Sequence, residues 1–436
     1  MKKTVFVMMA LSFTGFMISC TKPAPVYLLN FKPEISSQWL DVAREFEKET
    51  GVAMKVVTAA SNTYEQTLRS EFAKSAPPTL FNVNGIVGYH NYKDYTLDLK
   101  DSEIYDLLIE KDMAIKEDDG VFGIPYAIES YGIIYNDALL SKYFELAGRA
   151  DTGANNASEI NNFAKLKAVA EDIQKHAEDL GVKGAFASTS FAVGDDWRWQ
   201  THLANVPVFY EYRDRRVSDA DDLELVYSDN YKQIFDLYLN NSVTSRNMVG
   251  SKTVPDSMSE FALGEVVFVQ NGIWAWPQIS SEQGNIVKSE DIKFLPIYIG
   301  VSGEENQGLC TGTENFICVN KQAAADKQEA SLKFLSWLFN SPTGKQLAFQ
   351  KLGFVTPFSS FSSEERPDDP LVREMYRYID NGTYSINWVF TTFPSQQFKN
   401  DLGAALLDYA VEKTEWDSVK NLFVTKWAEE KALLSK

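Results

Sequence analysis

VYLLNFKPEISSQWLDVAREFEKETGVAMKVVTAASNTYEQTLRSEFAKSAPPTLFNV, residues 26–83, decides what kind of fold this chain can adopt. VYLLNF reads as a buried strand. SSQWLDVAREFEKETG follows with Trp39, Val42, Ala43 and Phe46 at helical spacing and Gly51 as a stop. VAMKVVTA is a second strand, SNTYEQTLRSEFAKS a helix that ends before Pro77 and Pro78, and TLFNV a third strand. Strand alternating with helix implies a parallel sheet covered on both faces. Ligands of such open sheets collect at the carboxyl ends of strands. Three segments therefore qualify as pocket loops: NFKPE at 30–34, SNTY at 61–64 and NVNGIVGY at 82–89.

The pattern loosens but recurs downstream. EDDGVFGIPYAIESYGIIYN, 117–136, reads as two strands joined through Glu129 and Ser130. An amphipathic helix carries Ile160, Phe163, Leu166, Val169, Ile173, Ala177 and Leu180 and stops at Gly181. The polar stretch 211–229 has the composition of a solvated excursion. FALGEVVFVQ, 261–270, IKFLPIYIG, 292–300, and TENFICVNK, 313–321, are strands, and the last hundred residues or so are mostly helical. The expectation is an α/β protein of two lobes.

Bulk properties agree. A chain of 436 residues is long for one core. Hydrophobic residues at 44% and aromatics at 13% permit large cores. A net charge of -18 excludes nucleic acid as a partner, because polyphosphate binding needs a basic footprint. Lys2 and Lys3, the apolar run Val5–Ile18 and then Ser19-Cys20 describe an export signal. MISC resembles a bacterial lipobox with Met17 in place of the usual Leu, so residues 1–19 are expected to be removed and Cys20 to carry palmitate-type acyl chains. TKPAP then serves as a tether. Cys310 and Cys318 admit two readings, a disulfide closed by a turn at Gly312 or two buried thiols. His90, His176 and His202 offer no metal-ligand spacing, and no cofactor motif is present.

No GxSxG, Walker or dinucleotide fingerprint occurs. A glycosidase would need facing carboxylates, for which Glu129 with Asp195 or Asp196 are the available residues. The tryptophans say more. Trp39, Trp337, Trp416 and Trp427 have apolar neighbours at helical spacing and read as core. Trp197 and Trp199, Trp274 and Trp276, and Trp388 lie in three separate loops beside Asp, Asn or Thr. Flat rings beside carboxylates and amides suit a sugar, whose faces are apolar and whose edges are hydroxyls. Phosphate or carboxylate ligands would call for Arg clusters, which these loops lack.

With these residues assembled, the chain resembles the extracellular solute-binding proteins of bacterial sugar ABC importers, the family that includes maltose-binding protein. The resemblance runs over essentially the whole mature chain. FEKETGVAMKVVT, GIPYAIESYGIIYN, FALGEVVFVQNGIWAWPQI and ENFICVNKQAAADKQEASLKFLSWLFNSPTGKQLA carry it. GLCTGTENFICVN and GFVTPF resemble the oligosaccharide-binding lipoproteins of anaerobic gut bacteria. The resemblance implies a periplasmic-binding-protein-like Venus flytrap with three crossovers, near Ala127–Tyr131, Phe294–Pro296 and Lys321–Asp326. Lobe 1 would comprise 20–128 plus 296–323, and lobe 2 would comprise 129–295 plus 324–436. It implies a carboxylate contact from Glu129, a stacking ring from Trp274 and a mostly packed Trp276. Asn84, Lys32 and Glu34 would face the ligand from lobe 1, with Asp195, Asp196 and Trp197 opposite. Tyr64, Tyr131, Asn271, Trp388, Glu314 and Asn315 complete the candidates. The maltose binder's Trp and charged pair after the third strand are absent, which argues against maltodextrin specificity. A monomer is implied, lipid-anchored outside the cytoplasmic membrane and delivering a short oligosaccharide to an ABC permease without chemistry on it. A polyamine binder and a secreted carbohydrate-active enzyme are the alternative readings.

Overall fold

The computed structural model describes residues 26–60 and 63–434. The leader, Cys20 and its tether lie outside the described residues, as do Ser61 and Asn62 of the second loop. Twelve strands are described: β1 (Val26–Asn30), β2 (Met54–Thr58), β3 (Leu80–Asn84), β4 (Ile115–Glu117), β5 (Gly120–Pro125), β6 (Glu129–Asn136), β7 (Gly184–Phe186), β8 (Val266–Gly272), β9 (Ile292–Leu295), β10 (Gln307–Gly312), β11 (Asn315–Val319) and β12 (Tyr384–Asn387).

The first sheet has the order β2-β1-β3-β11-β5-β4. Its opening β1, β2 and β3 are parallel, while β11 runs antiparallel to both β3 and β5. Side chains alternate across a strand, so β1 sends Val26 and Leu28 to one core and Leu29 to another. On the first face Trp39, Val42 and Phe46 of the Ser36–Thr50 helix meet the strand residues; Gly51, at φ 71, ends that helix in a left-handed turn. On the second face Tyr64, Leu68 and Tyr89 cover Phe81 and Val83. The second sheet has the order β12-β10-β6-β8-β7, with β9 also paired to β6. Here β6 divides Tyr131, Ile133 and Tyr135 from Ile134, again serving two cores.

The chain passes between the sheets three times, twice not where the resemblance placed the passage. One passage is 126–128, between β5 and β6. The second is Thr313–Glu314, not Phe294–Pro296, because β9 and β10 both pair with β6 inside the second sheet. The third lies between Phe361, packed on the first core, and Leu371 in the second. It is not at Lys321–Asp326, because the Ala325–Asn340 helix turns Phe334, Leu335 and Leu338 onto the first core, with Phe334 and Phe46 rings 5.1 Å apart. Residues 296–312 thus sit in the second lobe and 324–361 in the first, reversing the expected boundaries.

Two local expectations are also resolved, and a proline finds its place. Cys310 and Cys318 are both free and buried, since β10 and β11 part into different sheets at Gly312–Asn315; no disulfide joins them. Pro277 stands in the first turn of the Trp276–Ser281 helix, where its missing N–H costs nothing. The 211–229 excursion is anchored, because the buried Glu211 carboxylate accepts from the N–H groups of Glu224 (2.9 Å) and Val226 (3.0 Å), and Leu223 and Leu225 are buried.

Candidate functional site

The carboxyl ends of β1, β3, β8, β10 and β12 and the beginnings of β6 and β11 meet at one crevice between the sheets. The register shows the convergence: Glu129 lies opposite Gly312, Tyr131 opposite Gly272, and Asn84 opposite Asn315. Side chains that leave these strand ends have no further sheet to pack on, so they face the other lobe.

Lys32 follows β1 and is held there by Asn30, whose Oδ1 accepts from the Lys32 N–H at 3.0 Å and whose Nδ2 donates to its carbonyl at 2.8 Å. The Lys32 Nζ donates to Glu129 Oε1 at 2.6 Å and stands 3.8 Å from Glu34. Burial works to lower the Lys32 pKa, but Glu129 and Glu34 outweigh it and hold the ammonium above its ordinary range. Burial raises the Glu34 carboxyl, with Lys32 opposing. Asn84 donates its amide to the Glu314 carboxylate across the 313–314 passage, and the Gly85 N–H donates to the Glu314 carbonyl at 3.1 Å.

The indoles lie on the second lobe, laid over glycines that end the strands flanking β6. A Cβ added to Gly272 would come within 2.3 Å of the Trp274 ring, and one on Gly312 within 2.6 Å of Trp388. Only glycine lets each ring settle on its strand end. Trp274 meets Trp388 edge-on at 6.4 Å and Trp197 at 6.2 Å. His202 sits among them. Its ring stacks on Tyr131 at 4.2 Å and 6° and contacts Trp197, Trp274, Trp388 and Phe390 between 5.0 and 6.0 Å. Burial, followed by the nearby Lys399 and Arg198, pushes its pKa down to about 3, so the imidazole is neutral.

Of the expected contacts, Lys32, Glu34 and Glu129 form one charged group, Asn84, Glu314 and Asn315 a second, and Trp197, Trp274 and Trp388 the aromatic wall. Tyr64, Tyr131 and Asn271 are corrections. The Tyr64 hydroxyl accepts from the Asn82 N–H at 2.6 Å beneath the first sheet. Tyr131 is fully buried and donates to the His202 carbonyl at 2.9 Å. Asn271 is 1% exposed, and its Oδ1 accepts from the Gly272 N–H at 2.9 Å. Each serves its own lobe. Asp195 and Asp196 are half-buried, and burial raises both carboxyls. Asp195 accepts from the Val254 N–H, while Asp196 is turned onto Gly403, where a Cβ would lie 1.9 Å from its Oδ2. Trp199, read as a loop ring, is core, its Nε1 donating to Ser190 O at 3.0 Å.

Two residues of the crevice were not anticipated. His202 gave no spacing signal. Lys399 did: it lies with Leu402, Gly403 and Leu406 at i+3, i+4 and i+7 of the Gln396–Ala410 helix, a lysine on the buried stripe. Two surface cavities of about 710 and 400 Å³ lie elsewhere on the second lobe. The larger includes Tyr135 and Asp137 at the opposite end of β6 from Glu129, and Arg377 and Arg373 on their walls are paired with Glu374 and Asp368. Among the described residues no His, Cys, Asp or Glu group is placed to hold a metal.

Two α/β lobes, three connecting passages and a crevice of strand ends between them define a two-lobe ligand-binding protein. A family model described as bacterial extracellular solute-binding protein matches residues 41–374, and the chain belongs to that family. Its fold is shared with a chitin oligosaccharide binding protein (TM-score 0.70, 16% identity, 94% of this chain and 99% of that one covered). It is shared likewise with maltose-bound MalE3 of T. maritima (0.68, 13%, 93% and 99%) and with RafE in complex with raffinose (0.65, 16%, 93% and 99%). No curated protein matches the chain. Among the described residues no helix is long and apolar enough to cross a membrane.

Proposed function

We propose that the chain captures a short, neutral oligosaccharide in the crevice and delivers it unaltered to an ABC-type permease of the cytoplasmic membrane, held nearby as a monomer by lipid on Cys20. The observation that carries this reading is the pairing of glycine-seated indoles, Trp274 and Trp388, with the Lys32–Glu129 pair at the same strand ends. The rings offer apolar faces to sugar C–H groups, and the charged pair offers both a donor and an acceptor to hydroxyls. The structural neighbours whose names specify chitin oligosaccharide, maltose and raffinose support it. Binding closes the lobes about the three passages, and the ligand favours the closed form only by contacts it makes there on both sides.

The competing ligand is a polyamine: Lys32 and Lys399 would repel its ammonium groups while Glu34, Glu129 and Glu314 would attract them, and direct titration decides between the two. Asp195 and Asp196, the carboxylates expected to face Glu129 in a hydrolase, are instead engaged within their own lobe. Calorimetry and thermal melting with raffinose, maltotriose, xylotriose, chitotriose and spermidine test the reading. At least one sugar is expected to bind and to be recovered intact after long incubation, with Trp274→Ala weakening it at least tenfold, about 1.4 kcal/mol. Binding of spermidine alone, or a cleaved sugar, refutes it.

A further inference from the structure

Lys399 reaches the crevice from the second lobe and is 8% exposed. Among the described residues its ammonium has no side-chain hydrogen bond or ion pair, and it lies over the Phe390 ring, 5.8 Å from the centroid. The charges that reach it are Glu314 and Glu65, which attract it, while His202 nearby is neutral. Glu314 stands on the 313–314 passage with its carboxylate accepting from Asn84 of the first lobe. Glu65, on the Tyr64–Phe72 helix, already accepts from the Tyr92 hydroxyl at 2.8 Å. A buried lysine of the second lobe and a half-buried glutamate of the passage, held by the first lobe's Asn84, thus face each other without a hydrogen bond or ion pair.

The polar atoms beside this pair are also incomplete. Thr313 Oγ1, Asn315 Oδ1 and Trp388 Nε1 are buried and have no hydrogen-bond partner. Asn315 and Trp388 are 6% and 7% exposed, Thr313 and Asn315 flank Glu314, and Trp388 contacts Phe390 at 5.0 Å. Buried polar groups are nearly always satisfied, so several unmet ones around one unpaired ammonium mark a place that a ligand completes. Burial holds the Lys399 ammonium below its usual range and raises the Glu314 carboxyl, as expected of charges that lack full partners.

We propose that Glu314 and Lys399 form a cross-lobe subsite for a neutral sugar unit whose adjacent hydroxyls bridge them, one accepting from the ammonium and one donating to the carboxylate. The proposal deepens the oligosaccharide reading and rests on it. A hydroxyl is both donor and acceptor, so one sugar edge can satisfy Lys399 and Trp388 Nε1 on one side and Glu314 and Asn315 on the other. A uronate is disfavoured, because Glu34, Glu65, Glu129 and Glu314 already outnumber Lys32 and Lys399. Glu314 also lies within electrostatic reach of Lys32 and Glu129, so the subsite adjoins the charged group at the ends of β1 and β6.

The test titrates wild type, Lys399→Met, Lys399→Arg and Glu314→Gln with raffinose, maltotriose, xylotriose, chitotriose and trigalacturonate. Lys399→Met and Glu314→Gln are each expected to weaken the best neutral sugar at least tenfold, with Lys399→Arg recovering part of the loss. Glu314→Gln preserves shape and the Asn84 contact, so it remains informative if Lys399→Met does not fold. Variants that melt cooperatively yet bind like wild type overturn the subsite alone, as does tighter binding of trigalacturonate than of every neutral sugar. Absence of any sugar binding by wild type overturns the oligosaccharide reading and the subsite with it.

Discussion

Lowering the pH from about 7 to about 5 should destabilise the protein through His202. The ring is 5% exposed, enclosed by Tyr131, Trp197, Trp274, Trp388 and Phe390, with Lys399 and Arg198 in electrostatic range. Its pKa falls from 6.5 to about 3 on folding. Below 6.5 the unfolded chain binds a proton that the folded ring refuses, so the stabilisation is fully present above that pH and is lost as pH falls toward 3. Each pH unit in that window costs about 1.4 kcal/mol, giving about 2 kcal/mol by pH ~5 and a Tm drop of roughly 4–8 °C for a lobe of this size. Burial raises the carboxyls of Glu34, Glu314, Asp195 and Asp196, and these act in the opposite sense, since their folded forms take up protons more readily. The informative quantity is therefore the difference between wild type and His202→Phe in calorimetric Tm across about pH 4.5 to 7.5. The variant's curve should be flatter on the acid side. Parallel curves, whatever their offset, would refute the argument, because they would mean that His202 titrates alike in both states.

Lys32→Met leaves the largely enclosed Glu129 carboxylate, its side chain 13% exposed, without its cation and should cost about 3 kcal/mol, whereas adding Glu129→Gln should return much of it; equal, additive losses in melting experiments would contradict a coupled pair. Since Lys32 is held above its ordinary 10.5, that coupling should be constant below this pH and fade only above it. Gly85 sits at φ 61, and a Cβ added there would lie only 3.0 Å from Thr391 of the other lobe, so Gly85→Val should impair closure. Calorimetry should find sugar affinity reduced by more than the ~1–2 kcal/mol of backbone strain seen in melting, and unchanged affinity would sink the idea. Cys310 and Cys318 should resist thiol reagents until the protein unfolds, because burial raises both thiols and hides them; rapid labelling of either in the native state would contradict their placement.

The β–α alternation of residues 26–83 was legible because each element carries its own period: Trp39, Val42 and Phe46 for a helix, an all-buried VYLLN for a central strand. Lys32, Glu129 and Trp274 were proposed as contacts through the family resemblance and the rule that ligands gather at strand ends, and the structure places all three at the strand ends where the two sheets meet. The lobe boundaries were misplaced because strand character does not say which sheet a strand joins. IKFL and QGLCTG pair with β6 by register, and nothing in their composition announces it. Tyr64, Tyr131 and Asn271 were misassigned for a related reason: a polar atom near a loop reads alike whether it meets a ligand or a backbone N–H of its own lobe.

The sequence by itself determined the α/β class, the strand ends that carry lysine, carboxylate and indole, and the acidic surface, since these follow from local periodicity and from charge summed over the chain. Only the tertiary structure decided that Glu314 meets Asn84, that Lys399 comes within electrostatic reach of Glu314 from a distant helix, and that His202 lies neutral among five rings. Those juxtapositions arise from which edges two sheets pair and where the chain crosses between them, and such long-range pairing is written in no short stretch of sequence.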